Sequence, residues 1–400
     1  MRHSFAVVGL TAFALLAICP AAQAQDDSAQ ASALDASRVK VNLSGLGYYT
    51  DNFYNQPNNE AAGGGTLIRP EISFLEESSK LLVAGTVDGE YGVFDLPGSE
   101  DDYLDGGARF RLVSQGTVRN QVRLGAALKH SHDDFGVNRT EDATVRDDEL
   151  DRWNQFSGSL HFRYGAAGAR LNAEVGLRKL DRHYITNRAA TEPLNYEANT
   201  GEYALFYNYS PKTAALVDFS RTAFAFDRPF GAVDTRTGEL YRARAGIRWL
   251  ATGKTSGDVR IGYRRRTFDV ASPDLEGLDW EATIDWAPVP RSQVKLTAAR
   301  SEQESYRADT RVIGIDSLAL GWKYNLSAKN RANLVLERLE ADFDTSGRDD
   351  RIFSAAFTLE HVARRYLWVV ASVGNTHRAS SADFRDYDRL TAFLGLRLGR

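Results

Sequence analysis

Residues 239–288 read ELYRARAGIRWLATGKTSGDVRIGYRRRTFDVASPDLEGLDWEATIDWAP and contain three runs in which apolar and polar side chains alternate. A short turn, ATG, separates the first two runs, and a polar loop, DVASPDLEG, separates the second from the third. Successive side chains of a β-strand point to opposite faces, so each run predicts a strand with one apolar face and one charged face. In the first run the apolar face carries Tyr241, Ala243, Ala245, Ile247 and Trp249.

The same alternation recurs along nearly the whole chain, and no helical segment is available to cover the apolar faces. A soluble sheet normally hides its apolar face under a second layer. We therefore predict an all-β fold, namely a transmembrane antiparallel up-and-down β-barrel of about 18 strands with lipid outside and water inside. The predicted strands are residues 39–49, 66–75, 80–90, 103–113, 119–130, 153–164, 169–180, 200–209, 213–224, 239–250, 255–268, 277–287, 292–303, 311–324, 329–339, 351–362, 365–376 and 386–398.

The connections between these strands alternate between long and short. Outer-membrane barrels have short periplasmic turns and longer external loops, so the alternation predicts the outer membrane of a Gram-negative bacterium with both termini in the periplasm. A soluble β-propeller is the alternative, but it would repeat a motif about every 40 residues, and this chain has no such repeat. The predicted long connections are residues 50–65, 91–102, 131–152, 181–199, 225–238, 269–276, 304–310, 340–350 and 377–385.

The N-terminus has the pattern of a secretory signal. Arg2 and His3 precede an apolar stretch over residues 5–18, and Ala22-Gln23-Ala24 forms an A-x-A cleavage site. We predict a signal peptide over residues 1–24, a disordered periplasmic lead-in over 25–38 and the barrel over 39–400. A membrane anchor and a lipid anchor on Cys19 are the alternatives; the apolar run is short, and bulky Ile18 disfavours lipidation.

Composition excludes several functions. The formal net charge is −4, so a basic surface for nucleic acid is not expected. The only cysteine lies in the predicted signal peptide, so the mature chain has neither disulfides nor a Cys metal site.

The sequence 130–134, HSHDD, has no further His or Cys at a spacing that would complete a metal site, and it is predicted to be a solvated loop. His161 lies near Ser157 and Ser159, but the sequence has no motif of a Ser-His-Asp catalytic triad. We predict no catalytic, cofactor or metal site and no enzyme.

The polar strand faces are predicted to line the lumen, because an Arg or Lys facing lipid near the midplane costs roughly 2–4 kcal/mol. Two interpretations of their arginines stay open. Arg244 can brace the wall by pairing with Asp279 or Glu281, or the arginines can bind an anionic solute or polymer. The predicted lumen residues are Arg109, Arg111, Arg163, Arg178, Arg242, Arg244, Arg248, Arg260, Arg264, Arg266, Asp279, Glu281 and Asp285.

Aromatic residues cluster near the predicted strand ends, where interfacial girdles of membrane barrels lie. Tyr48 and Tyr49 are among them. The residues that we expect to face lipid or to form the girdle are Tyr207, Tyr209, Tyr241, Trp249, Trp280, Trp286 and Trp322.

Two N-terminal segments go beyond these general features. One reads GYYTDNFYN over residues 47–55 and is followed by LIRPEISF over 67–74; the other runs from EYG at 90–92 to DDYLD at 101–105. They resemble the putative β-barrel porin 2 family of bacterial outer-membrane proteins, most clearly over residues 40–130. The chain departs from a common barrel pattern at its end, where Leu396-Arg397-Leu398-Gly399-Arg400 lacks the terminal aromatic residue that the insertion machinery reads.

The resemblance implies a barrel associated with exopolysaccharide or capsule loci, serving as a passive exit pore. It also implies a periplasmic polysaccharide-export protein as partner and an anionic polysaccharide in the lumen. Two alternatives stay open: a general or anion-preferring diffusion porin for small solutes, and a structural or adhesion barrel that acts through its external loops. The only other partner expected is outer-membrane lipid, and the sequence has no strong signal for an oligomer interface.

Overall fold

A computed structural model describes residues 39–58, 60–95, 102–141, 149–166, 168–229, 236–252, 254–270 and 272–399. The predicted signal peptide and lead-in, residues 1–24 and 25–38, lie outside them. The described residues form 18 strands: β1 Val39–Thr50, β2 Gly63–Glu77, β3 Leu81–Asp95, β4 Tyr103–Gln115, β5 Asn120–Asp133, β6 Asp151–Tyr164, β7 Leu171–Tyr184, β8 Tyr196–Ser210, β9 Thr213–Phe226, β10 Gly238–Thr252, β11 Thr255–Phe268, β12 Leu275–Trp286, β13 Ser292–Glu304, β14 Val312–Asn325, β15 Asn330–Phe343, β16 Arg348–Arg364, β17 Leu367–Ser380 and β18 Tyr387–Gly399.

Each strand pairs antiparallel with the next, and β1 pairs with β18 to close the ring. The closing register runs from Asn42 opposite Gly399 to Thr50 opposite Thr391. The connections after the odd-numbered strands therefore share one end of the barrel, here called the loop end, and those after the even-numbered strands share the opposite turn end. Most of the connections at the loop end are long as predicted, but the predicted long connection over residues 340–350 is wrong, because β15 and β16 extend into it and leave only residues 344–347. The predicted 18-stranded up-and-down barrel is confirmed.

Little helical structure accompanies the barrel. The described residues contain one helical turn, Arg188–Thr191, and two 3₁₀ turns, Asn138–Glu141 and Glu192–Leu194, all in connections at the loop end. No helix within the described ranges is long and apolar enough to cross a membrane.

The outer face of the barrel is apolar over most of its height and becomes charged towards the loop end. In the apolar part of this face, Ile247 and Val217 are exposed, as expected for side chains that contact lipid. The strands have 12 to 17 residues, whereas about 9–11 suffice to cross a bilayer, so their loop ends extend beyond the apolar band. Ion pairs occupy this extension on the outer face: Lys179–Glu197, Arg221–Glu239, Arg265–Glu276 and Arg338–Glu340.

The inner face is less uniformly polar than alternation alone suggests. Three apolar clusters lie inside, and Tyr306, from the β13–β14 connection, packs against two of them. The reason is that connections fold into the mouth and exclude water, so inward apolar side chains there form a protein core. The clusters comprise Leu46, Leu67, Tyr103, Leu150, Val370 and Phe393; Ile313, Ile315, Leu339 and Phe343; and Trp153, Tyr184 and Leu194.

Candidate functional site: the lumen and its cap

The centre of the lumen wall is a lattice of paired charges on β9–β12. The Arg244 guanidinium lies 2.9 Å from Asp218, 3.1 Å from Glu281 and 3.3 Å from Asp279. Arg242 Nε lies 3.1 Å from the second oxygen of Asp279. Arg244 thus makes both of the bracing contacts considered from the sequence. An arginine already shared among three carboxylates has few donors left for a solute.

The other predicted lumen residues lie on the same inner faces, opposite the exposed apolar side chains of their strands. Arg109 is the most open of them, with 66% of its side chain exposed beside Asp88. Arg163 and Arg248 both lie over the ring of Phe206, at 5.5 and 4.8 Å from its centroid. Arg111 and Asp285 are half-buried. The remaining pairs are Arg178–Glu202, Arg248–Asp258, Arg260–Asp258, Arg264–Glu302 and Arg266–Glu304.

The predicted lipid-facing residues lie on the outer faces. Tyr209 and Trp286 are exposed near the turn end, and Trp322 Nε1 donates to Ser292 Oγ at 3.0 Å. Tyr241 lies nearer the loop end and donates to Glu239 in the charged extension. The other three residues of this prediction, Tyr207, Trp249 and Trp280, also lie on outer faces.

Tyr48 corrects the girdle interpretation. Because Tyr48 and Tyr49 are consecutive in β1, they point to opposite faces, and only Tyr49 is exposed on the outside. The Tyr48 ring packs inside the barrel, 5.1 Å from Phe393 and 5.7 Å from Phe94 between ring centroids. Its place near a strand end is therefore not evidence for an interfacial role.

The β5–β6 connection crosses the mouth of the barrel. Glu141, in this connection, is buried and accepts bonds from Arg348 at 2.6 and 2.9 Å and from Arg378 at 2.9 Å. These arginines belong to β16 and β17. Along the shorter way round the ring, five strands lie between β5 and β17, namely β4, β3, β2, β1 and β18. Asp350 also contacts both arginines, at 2.7 and 2.6 Å. The connection is thus anchored to the far wall.

Other connections complete this cap. Arg307, from the β13–β14 connection, lies 3.3 Å from Glu141, and Arg385, from the β17–β18 connection, donates to the Glu141 carbonyl. Asn55 Nδ2, from the β1–β2 connection, donates to the Phe135 carbonyl at 2.8 Å. We define the cap as these connections held around Glu141. The contacts of Glu141 reach across the mouth to β16 and β17, which is an arrangement that strand periodicity does not encode.

A second group of buried arginines locks neighbouring connections together. Arg236 Nη1 donates to the Ser305 carbonyl at 3.2 Å, and its Nη2 donates to the Pro193 carbonyl. Arg266 Nη2 donates to the Arg236 carbonyl at 2.9 Å, and its guanidinium lies 3.8 Å from the centroid of the Phe224 ring. Arg266 points into the barrel from β11 but is fully buried, and besides Arg236 it contacts Glu304 of β13 and Phe224 of β9.

Glu141 is predicted to make the cap sensitive to strong acid. Burial alone would raise the pKa of Glu141, but hydrogen bonds and charges from Arg348 and Arg378 outweigh it and lower the pKa from 4.5 to about 2. Ionised Glu141 therefore stabilises the cap fully above its ordinary pKa of 4.5, and this stabilisation is lost as the pH falls through the lowered pKa of about 2. We expect channel conductance to rise on acidification from pH 4.5 towards 2, and a Glu141→Gln channel to lack this transition.

Gly136 sets the close approach between the β5–β6 and β1–β2 connections. Its φ is +73°, and a Cβ there would lie 2.0 Å from the Tyr54 carbonyl oxygen. We expect Gly136→Ala to displace the cap and to lower stability by about 1–3 kcal/mol, measured by thermal unfolding in detergent together with conductance. Gly347→Ala is the matched control, since φ is +66° but a Cβ would meet open space. Equal effects of both variants would refute the contact with Tyr54.

Residues 130–134 are not the solvated loop that the sequence predicted. Ser131, His132 and Asp133 are buried at the end of β5. His132 Nδ1 lies 3.0 Å from Asp105 and its Nε2 3.3 Å from Asp134. Asp133 accepts bonds from Trp153 Nε1 and the Tyr184 hydroxyl. Across the described part of the chain, no group of three or more His, Cys, Asp or Glu side chains is placed to hold a metal.

The segments that carry the family resemblance meet at an aromatic pocket under the cap. Tyr48 and Phe53 come from the first segment and Tyr103 from the second, with Phe94 between them. The Phe94 ring lies 5.1 Å from Phe53 and 5.8 Å from Tyr103. The pocket is partly open to solvent, and Arg389 of β18 also lines it. No sequence signal indicated that these rings converge.

One family model and several solved structures are similar to this chain. The family model described as putative β-barrel porin 2 matches residues 39–400. Similar solved structures include the outer membrane protein OpdK of Pseudomonas aeruginosa, with 11% identity, coverage of 90% of this chain and 99% of that chain, and a TM-score of 0.46. OccK2 (OpdF) of the same organism has 11% identity, coverage of 90% and 98%, and a TM-score of 0.47.

The siderophore receptor PirA of Acinetobacter baumannii has 8% identity, covers 92% of this chain and 81% of its own, and has a TM-score of 0.43. No curated protein sequence matches the chain. The family match spans every described strand, so the resemblance of the N-terminal segments is confirmed and extends to the whole barrel. The chain therefore belongs to the putative β-barrel porin 2 family and is a porin-like β-barrel channel of the outer membrane.

Proposed function

We propose that this barrel is the exit channel through which an exopolysaccharide or capsular polysaccharide crosses the outer membrane. The aromatic pocket under the cap carries this proposal. A sugar ring presents C–H groups on its faces and hydroxyl groups around its edge. The negative face of an aromatic ring attracts such C–H groups, so Tyr48, Phe53 and Phe94 are suited to a pyranose ring. The resemblance to a family associated with exopolysaccharide loci supports the same conclusion.

Transport in this proposal is passive. The paired arginines and carboxylates of the wall offer donors and acceptors that replace part of the water around a sliding polymer. Because the wall charges neutralise each other locally, they bind no repeat unit strongly enough to stop its progress. The driving force comes from outside the barrel, through a periplasmic polysaccharide-export protein at the turn end. The cap lies across the mouth, so passage of a chain requires its displacement.

A diffusion porin for small solutes is the second candidate. The anchored cap favours it, because a mouth narrowed by Glu141 and its partners admits small molecules more readily than a polymer. The pairing of Arg244 and its neighbours reduces the expected anion preference of such a porin.

Deletion of the gene with complementation separates the two candidates. For the exit channel we expect surface polysaccharide to be lost on deletion and restored by the wild-type gene. A Phe53→Ala, Phe94→Ala double variant should restore it poorly while reaching the outer membrane in normal amount. Leu278→Ala, on the lipid-facing side of β12, is the control for removing apolar surface. Surface polysaccharide that is unchanged by deletion, with slower uptake of small solutes, would instead establish the diffusion porin.

A further inference from the structure

The aromatic pocket contains a buried cation that the export function by itself does not require. Arg389 is only 6% exposed, points inward from β18 and lines the pocket beside Tyr48. Among the residues that the structure describes, its Nε has no hydrogen-bond partner. Buried donors are nearly always satisfied, so this unpartnered nitrogen, on a side chain that lines the pocket, indicates that Arg389 lacks an acceptor among the described residues.

Arg389 also differs from several wall arginines in its ion pairing. Arg242, Arg244 and Arg378 each lie within 3.5 Å of a carboxylate of the barrel. Arg389 has no such ion pair within the described ranges, although Asp134 lines the same pocket. Asp134 is instead paired with His132 Nε2 at 3.3 Å. The carboxylate that lines the same pocket is thus paired with a histidine, and the Arg389 guanidinium remains available to an anionic ligand.

We infer that the pocket binds an acidic sugar, a pyranose ring that carries a carboxylate, as a repeat unit of the transported polymer. The inference rests on the proposed export function and specifies its substrate class. The ring lies against Tyr48, Phe53 and Phe94, and the carboxylate accepts bonds from the Arg389 guanidinium. Planar guanidinium and carboxylate groups match in a two-bond fork, and charge-assisted bonds of this kind are stronger than neutral ones.

The position of the pocket gives this site a role in the exit step. The β1–β2 connection that supplies Phe53 is tied to β18, since Asn52 Nδ2 donates to the Asp388 carbonyl at 2.9 Å and Leu390 N donates to Asp51 at 2.7 Å. Phe135 of the β5–β6 connection lines the pocket from the other side. An acidic sugar that enters therefore contacts both the barrel wall and the connection that Glu141 anchors.

The test measures current blockade of the full-length channel in planar bilayers by a glucuronic acid tetramer, a glucose tetramer, glucuronic acid and acetate. We expect the glucuronic acid tetramer to block most tightly. Arg389→Gln should weaken this blockade about ten- to hundredfold, and Arg389→Lys should weaken it less. Phe94→Leu, which removes the ring but keeps the pocket apolar, should weaken blockade by both tetramers. Arg351→Gln removes the same charge from the outer face and should change nothing.

Heat-modifiable migration of each variant establishes that its barrel is folded before affinities are compared. Equal blockade by glucose and glucuronic acid tetramers, no blockade by either, or an unchanged Arg389→Gln channel would each overturn the inference. Blockade by acetate as strong as that by the glucuronic acid tetramer would replace it with a simple carboxylate site. Surface polysaccharide is a separate measurement. Loss of export on deletion together with equal blockade by both tetramers would overturn the acidic-sugar site and leave the exit channel standing.

Discussion

A Glu141→Gln channel is expected to conduct more current than the wild type and to show frequent transitions between levels. The substitution keeps the shape of the side chain but leaves Arg348 and Arg378 without one of their two carboxylates. Breaking a buried ion pair costs about 3–5 kcal/mol, and the lower end applies because Asp350 still contacts both arginines. A cost of that size makes displacement of the cap at least about a hundredfold more frequent.

The measurement is single-channel conductance of the purified barrel at neutral pH, with blockade by polyethylene glycols of graded size to gauge the width of the mouth. Glu340→Gln is the control, because Glu340 belongs to an exposed pair with Arg338 on the outer face near the same end. Its removal should leave both quantities unchanged, as exposed pairs contribute about 0–1 kcal/mol. An unaltered exclusion size for Glu141→Gln would mean that the anchor does not hold the mouth closed.

An Arg244→Gln channel is expected to become more cation-selective and less stable. The substitution leaves Asp218, Asp279 and Glu281 as a buried cluster of negative charge, which Arg242 and Arg260 compensate in part. We expect a loss of about 3–5 kcal/mol in unfolding free energy for a buried charge left unpaired. Reversal potentials across a KCl gradient and thermal unfolding in detergent measure the two effects.

Arg265→Gln is the matched control for Arg244→Gln. Arg265 lies on the outer face of β11, is about half exposed and pairs with Asp274 and Glu276. Its loss removes the same charge without touching the lumen, so selectivity should not change. The pair of variants also decides between the two interpretations of the arginines. Weaker binding of anionic solutes by Arg244→Gln without any loss of stability would favour anion capture over bracing of the wall.

Local contacts explain which sequence interpretations were wrong. Residues 130–134 look like the start of a polar loop, but Asp105, Trp153 and Tyr184 come from neighbouring strands and satisfy their polar groups. Burial of a polar segment depends on such partners, and nothing in the segment itself specifies them. The place of Tyr48 near a strand end predicts an outward aromatic residue, but the alternation of side chains puts it on the face opposite Tyr49.

The sequence by itself determined the barrel, because side-chain direction in a strand follows from covalent geometry at a period of two. Strand number, the long and short connections and the paired run over residues 239–288 all follow from that local rule. Only the tertiary structure decided what fills the mouth. The contacts of Glu141 with Arg348 and Arg378 join residues more than 200 positions apart, and Arg389 meets Tyr48 only because β18 closes on β1. Such contacts depend on closure of the ring, and no local pattern encodes them.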